Sequence, residues 1–157
     1  MQSSVKKQLE RFLAEDIKSG DITSRLLSRK KITAKIISRE NSIIAGVAYA
    51  KEIFTSRKCK VTIHKKDGQK VAPNQKIMTI YGDTYDILSC ERTALNLMSR
   101  MSGIANQTNS YVKKIRAANP KVGLYSTRKT APGLRIFDKD AVAIGGGHSN
   151  SMSLDQM

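Results

Sequence analysis

Val5, Leu9, Phe12 and Leu13 recur at steps of four, three and one. That spacing predicts one apolar helical face, with Ser3 or Ser4 as its N-cap. Glu15-Asp16 reads as a turn, and Gly20-Asp21-Ile22-Thr23-Ser24 as a second short capped segment. From 31 to 38 the period changes to two: Ile32, Ala34 and Ile36 alternate with Thr33 and Lys35, as in a half-buried strand. A turn at Asn41-Ser42, an extended piece over 43–47 and a helix over 48–54 follow. Residues 60–64 alternate again, with Val61 and Ile63 on one side. Asp67-Gly68 carries a hairpin-turn signal, Pro73-Asn74 marks another turn, and 76–81 predicts a further strand.

Asp83 is a good N-cap for a long helix with Asp86 in its first turn. Leu88, Leu95, Met98 and Met101 form its expected apolar stripe, and Gly103 marks a kink or a close contact. The helical pattern continues through Tyr111, Val112 and Ile115 until Asn119-Pro120 ends it. Residues 122–125 then predict a short strand. Pro132 stands near the start of one more helix, whose inner face carries Leu134, Phe137, Ala141 and Val142. Strand, loop and helix in that order open a β/α alternation. A closed eight-stranded barrel takes about 200 residues or more, so the barrel is expected to be incomplete. The fold class expected is an α+β N-terminal domain over 1–115, followed by the first part of a β/α barrel over 116–157.

The 157 residues include 28 Lys and Arg against 13 Asp and Glu, a formal charge of +15. Such an excess calls for an anionic partner. Aromatic residues are 5 % with no Trp, which argues against a stacking platform for single-stranded nucleic acid. Between Arg92 and Phe137 no acidic residue occurs and nine basic ones do, as in a pocket for small, highly charged ligands. The apolar runs are too short for a membrane span, and residues 1–20 are charged throughout, unlike a secretory signal. A cytoplasmic protein without membrane or nucleic-acid partners is expected. Cys59 and Cys90 have no metal-like spacing and read as buried or half-buried thiols of a reducing compartment. No metal site is expected from the His and Cys content.

Thr127-Arg128-Lys129-Thr130 follows the last predicted strand directly. Two cations and two hydroxyls at the C-terminal end of a parallel strand suit a carboxylate or a phosphate: Arg offers a planar fork, Lys a compact point charge. A solvated basic turn is the plain alternative. Arg92 falls one turn after Leu88 and is expected to border the apolar stripe, either as a snorkelling side chain or as a site residue. Gly145-Gly146-Gly147 could admit a phosphate close to the backbone but lacks the spacing of a P-loop. His148 beside it reads as a loop residue.

Taken together, Glu91-Arg92-Thr93-Ala94-Leu95-Asn96, Ser102-Gly103-Ile104-Ala105, the run from Thr127 through Arg135, Lys139-Asp140-Ala141-Val142 and the triple glycine resemble the quinolinate phosphoribosyltransferase family. Glu15-Asp16 with Gly20-Asp21-Ile22-Thr23, and the 67–77 segment, match its N-terminal domain. The 67–77 segment is itself similar to the hammerhead of biotinyl- and lipoyl-type domains, without a carrier lysine at a hairpin tip.

The resemblance implies binding of quinolinate and phosphoribosyl pyrophosphate with magnesium. The products are nicotinate mononucleotide, pyrophosphate and carbon dioxide, in NAD biosynthesis. It assigns substrate contacts to Thr127, Arg128 and Lys129, and to Arg92 reaching a neighbour's pocket across a homodimer; Lys139, His148, Asn150 and Ser151 are weaker candidates, and no catalytic group is assigned. Two departures stand out. Where the family shows a His-Arg pair, this sequence has Asn150 and Ser151, and losing a cation that pairs with a buried carboxylate costs about 2–5 kcal/mol. The acidic residues with which the family holds magnesium also have no counterpart by residue 157. Little or no turnover is therefore expected of these residues by themselves. The alternatives are a related phosphoribosyltransferase or molybdenum-utilisation relative with another substrate, and a non-catalytic chain that pairs with a full-length subunit.

Overall fold

The structure is a computed structural model, described here for residues 1–18 and 28–153. The expected segment at 20–24 lies outside the described residues. Helix α1 spans Ser3–Ile17 and buries Val5, Leu9 and Leu13, the stripe predicted. Its N-cap is Gln2, with no side-chain capping bond, so Ser3 and Ser4 lie inside the first turn. Glu15 and Asp16 continue the helix and do not turn the chain, because the packed Leu9–Leu13 face extends it by a further turn.

Five strands form two sheets. β1 (Lys31–Ile37), β3 (Lys60–Ile63) and β5 (Lys76–Asp83) make an antiparallel sheet in the order β1-β5-β3. The central strand β5 buries Ile77, Met78 and Ile80, whereas β1 keeps Lys31, Thr33 and Lys35 exposed on alternate positions. β2 (Ser42–Ile43) and β4 (Lys70–Val71) pair separately. Asp67-Gly68 accordingly joins no hairpin: the strands on either side of it belong to different sheets. Its carboxylate has another task. Helix α2 (Val47–Ser56) begins at Gly46, whose φ of 88° no side chain adopts readily, and has no cap of its own. Asp67 Oδ1 and Oδ2 accept from Val47 N (2.8 Å) and Ala48 N (3.2 Å), capping α2 from 19 or 20 residues away. The extended piece expected over 43–47 therefore ends early, and Val47 opens the helix.

Helix α3 runs unbroken over Thr84–Ala118, capped where expected by Asp83, which accepts from Tyr85 N. Its buried stripe includes Ile87, Cys90, Ala94, Leu97, Met98, Met101 and Ala105; Leu88 and Leu95 lie half-buried at the edge. Gly103 is exposed and would meet nothing within 4 Å with a side chain added, so it marks neither kink nor contact. Ser102 Oγ accepts from Ala45 N, and Asn106 Oδ1 from Ile43 N, which fixes β2 to α3. Cys59 and Cys90 are buried free thiols, as expected. Burial first, and the other thiol second, push Cys90 up to about 12.

Helix α4 (Arg135–Ile144) starts after Leu134; Pro132 precedes it in a turn closed by Leu134 N donating to Ala131 O. Phe137 and Ala141 are fully buried in the same core as Phe54, Met78 and Met101. Phe137 packs between Phe12 and Tyr49, with ring centroids 5.5 and 4.9 Å away. Residues 122–125 form less than a strand: one parallel bridge joins Tyr125 to His148. With α4 as the crossover between those two residues, the bridge is a first β-α-β step.

Candidate anion site at the end of the first parallel step

The Tyr125–His148 bridge sets two backbone segments side by side. Ser126 N donates to His148 O (2.9 Å), and His148 N donates to Leu124 O (2.8 Å). Each segment then runs on past the C-terminal end of its short strand, where the 127–130 loop and residues 149–152 lie. The loop folds by local bonds: Lys129 N donates to Thr127 Oγ1 (3.2 Å) and Thr130 N to Arg128 O (2.9 Å). Those bonds occupy Thr127 Oγ1 and turn the loop sharply. Arg128 is half-buried and Lys129 exposed, and neither cationic head has a hydrogen-bond or ion-pair partner among the described residues. A half-buried guanidinium without an acceptor is a donor fork open to a carboxylate or phosphate.

Behind the loop stands Lys139, only 1 % exposed. Its Nζ donates to Ser126 Oγ (3.0 Å) and to Asn150 O (2.9 Å), so it links the two segments directly. Among the described residues no carboxylate is bonded to it. Burial, then the charges of Arg135 and Arg128, lower its pKa from the usual lysine range. Asn150 N in turn donates to Ser126 Oγ (3.3 Å). Arg135 reaches from the first turn of α4 to Thr130 Oγ1 (3.3 Å), Arg128 O (3.5 Å) and Met152 O (3.0 Å). Sequence reasoning passed over Arg135 as a site residue. Its signal was there to read, since Arg135 and Lys139 are four apart on a helix and share a face.

The predicted residues divide into two groups. Thr127, Arg128, Lys129, Lys139, Asn150 and Ser151 lie on or against the two facing segments, and His148 stacks its ring on Tyr125 (centroids 5.0 Å apart). Arg92 is elsewhere, in the third turn of α3. It is exposed rather than bordering the buried stripe, because the stripe runs through Cys90, Ala94 and Leu97 and leaves position 92 outward. The triple glycine serves packing. A Cβ on Gly145 would sit 2.5 Å from Ala105 O and 2.7 Å from Thr108 Cβ, so the end of α4 approaches α3 as only glycine permits. A separate cleft of about 520 Å³ lies between α1 and α3, lined by Phe12, Asn96, Arg100 and Leu134, and by Thr93, whose buried hydroxyl has no partner. No predicted site residue lines it.

Among the described residues no three His, Cys, Asp or Glu side chains come together as a metal-holding group. What the site can do is bind: two cationic heads without partners among the described residues and a buried third cation lie at the same end of a β/α step. Where such a step runs parallel, its C-terminal end is where ligands bind.

An α+β domain followed by a first β-α-β step, with a basic loop at the C-terminal end of that step, is the layout in which β/α proteins place a ligand site. The quinolinate phosphoribosyl transferase N-terminal domain model matches residues 21–102, and the C-terminal domain model of the same family matches 104–157. The chain belongs to the quinolinate phosphoribosyltransferase family. It is 42 % identical over 135 residues to a probable nicotinate-nucleotide pyrophosphorylase [carboxylating] of Archaeoglobus fulgidus, covering 86 % of this chain and 52 % of that one. A protein of the same description from Bacillus subtilis is 37 % identical, with 96 % and 52 % covered. The solved nicotinate-nucleotide pyrophosphorylase of Francisella tularensis superposes with a TM-score of 0.87 at 38 % identity, over 96 % of this chain and 54 % of that one. The chain spans about half the length of the curated relatives it matches. An N-terminal α+β domain followed by the start of a barrel is therefore the fold, as the sequence predicted.

Proposed function

We propose that this chain carries the quinolinate-facing part of a carboxylating nicotinate-nucleotide pyrophosphorylase, acting in NAD biosynthesis. The observation that carries the reading is the 127–130 loop: Arg128 and Lys129 present two cationic heads with no partner among the described residues, beside a buried lysine that no described carboxylate neutralises. Quinolinate is an adjacent dicarboxylate and phosphoribosyl pyrophosphate a polyphosphate, so both need concentrated positive charge with fixed direction. Arg128 clamps a carboxylate, and Lys129 neighbours the second carboxylate or a phosphate. Held so, the pyridine nitrogen of quinolinate faces the ribose C1 and displaces pyrophosphate. The carboxylate next to that nitrogen then leaves as carbon dioxide: the electron pair of the broken C–C bond stays on the ring carbon, stabilised by the positive charge of the neighbouring pyridinium nitrogen, until a proton from water replaces the lost carboxylate.

Arg92 belongs to this reading through a homodimer. Exposed on α3 and without a partner, it is free to enter a neighbouring subunit's pocket. A cytoplasmic location goes with the reading; among the described residues no helix is long and apolar enough to cross a membrane. Because Asn150 and Ser151 replace a cationic pair, quinolinate binding by this chain is weak and turnover slight.

Calorimetry with quinolinate tests the site. The wild-type chain should bind it in the micromolar to millimolar range, and Arg128→Ala should weaken binding by about 30-fold or more, the loss of one charge-assisted bidentate contact. Equal binding by both proteins removes the assignment. Brisk formation of nicotinate mononucleotide by the chain alone would instead overturn the expectation of slight turnover.

A further inference from the structure

Arg135 and Lys139 are one turn apart on α4, and every hydrogen bond their charged heads make leaves the helix for the two segments of the candidate site. Arg135 donates to Thr130 Oγ1, Arg128 O and Met152 O; Lys139 donates to Ser126 Oγ and Asn150 O. Arg135 thus holds two acceptors on the 126–130 side and one on the 150–152 side, and Lys139 holds one on each. The acceptors are hydroxyls and backbone carbonyls without exception, so the bonds fix position and leave the charge of both cations in place.

The backbone alone would not keep these segments together. Past the Tyr125–His148 bridge, the bonds that cross from 126–130 to 149–152 directly reduce to Asn150 N on Ser126 Oγ at 3.3 Å. The two side chains from α4 supply the remaining links. α4 is in turn anchored in the core by Phe137, which lies between them in sequence and is fully buried. The helix therefore works as a rigid bar with a peg on one face and two arms on the other.

We propose that Arg135 and Lys139 are positioning residues that hold the 127–130 loop and the 149–152 segment at one separation, so that Arg128 meets its ligand already aimed. This rests on the reading that Arg128 and Lys129 face quinolinate. Arg135 acts through the Arg128 carbonyl and Lys139 through Ser126; neither needs to touch the ligand.

Amide hydrogen exchange of the full chain reads the brace without any ligand. Arg135→Gln should speed exchange at Thr130 N, and Lys139→Gln at Ser126 N and His148 N, by about tenfold or more. Amides of the buried faces of α1 and α3 should keep their wild-type rates. Arg135→Lys, which retains a donor but not the fork, should recover part of the protection at Thr130. Unchanged exchange at both segments, or faster exchange throughout the chain, overturns the proposal. Should Lys139→Gln fail to fold, the exposed Arg135 carries the test alone.

Quinolinate titration gives the second readout. Arg135→Gln should weaken binding about tenfold in the wild-type background and by less than twofold in Arg128→Ala, since it acts through Arg128. Equal losses in both backgrounds sink the positioning role. If the wild-type chain binds no quinolinate, the proposed function fails, while the exchange result still decides the brace.

Discussion

Lys35 and Lys139 show how differently the two regions of this molecule use the same residue. On β1, Lys35 takes an outward position of a period-two strand, and its charge lies in solvent over a sheet whose other face is Ile and Met. On α4, Lys139 is sealed against two backbone segments and bonded to neutral oxygens. The N-terminal region keeps its interior apolar around Phe54, Met78 and Met101, and its cations at or near the surface, where Lys6 pairs with Glu52 and Arg100 with Asp138. The barrel region does the reverse and turns positive charge inward. A formal charge of +15 therefore says little about where an anion binds; the place where a cation lacks a carboxylate says much more.

The sharpest way to break this contrast is to ask whether the regions melt together. Phe137 belongs to α4 but packs in the N-terminal core, so Phe54→Ala and Phe137→Ala should each cost about 3–5 kcal/mol. Urea unfolding followed by fluorescence and by circular dichroism should show one transition for both variants. A separate early transition in Phe137→Ala alone would mean that the two regions are energetically independent.

A smaller loss is expected at the ion pair between them. Arg100 on α3 donates from Nε (2.8 Å) and Nη2 (2.9 Å) to the buried carboxylate of Asp138 on α4. Asp138→Asn should cost about 1–2 kcal/mol, since Arg100 is partly open to water. Thermal melts at two salt concentrations check it, and a loss that salt leaves unchanged would place the effect in packing. The smallest effect concerns the N-terminal region alone. Asp67→Ala removes the cap of α2 and should cost about 1 kcal/mol, while Asp67→Asn, which keeps an acceptor, should recover about half of it. The same melts measure both.

Periodicity made much of the fold legible. β1, α1 and the start of α3 at Asp83 stand where alternation, a 3–4 stripe and a capping residue placed them. What failed was long-range choice. Asp67-Gly68 has the local chemistry of a hairpin, yet its carboxylate is taken by the uncapped helix beginning at Val47, and the flanking strands pair elsewhere. Gly103 and Gly145 look alike in sequence; only the second approaches another backbone, and that depends on how α4 crosses α3. At the candidate site, Arg128 and Lys129 were readable because a loop after a strand points to ligand. For Arg135 only the one-turn spacing from Lys139 was readable; its three acceptors come from segments 5 to 17 residues away, which no local pattern announces.

The single parallel bridge has a consequence for the order in which this chain loosens. Val122 and Tyr125 are 50 % and 61 % exposed, and among the described residues one parallel bridge, Tyr125 to His148, is all the ladder that the two segments form. So short a ladder carries little of the stability of its own region: the step is held to the rest of the molecule by α4, and loosening that helix would loosen the bridge before any strand of the N-terminal sheet.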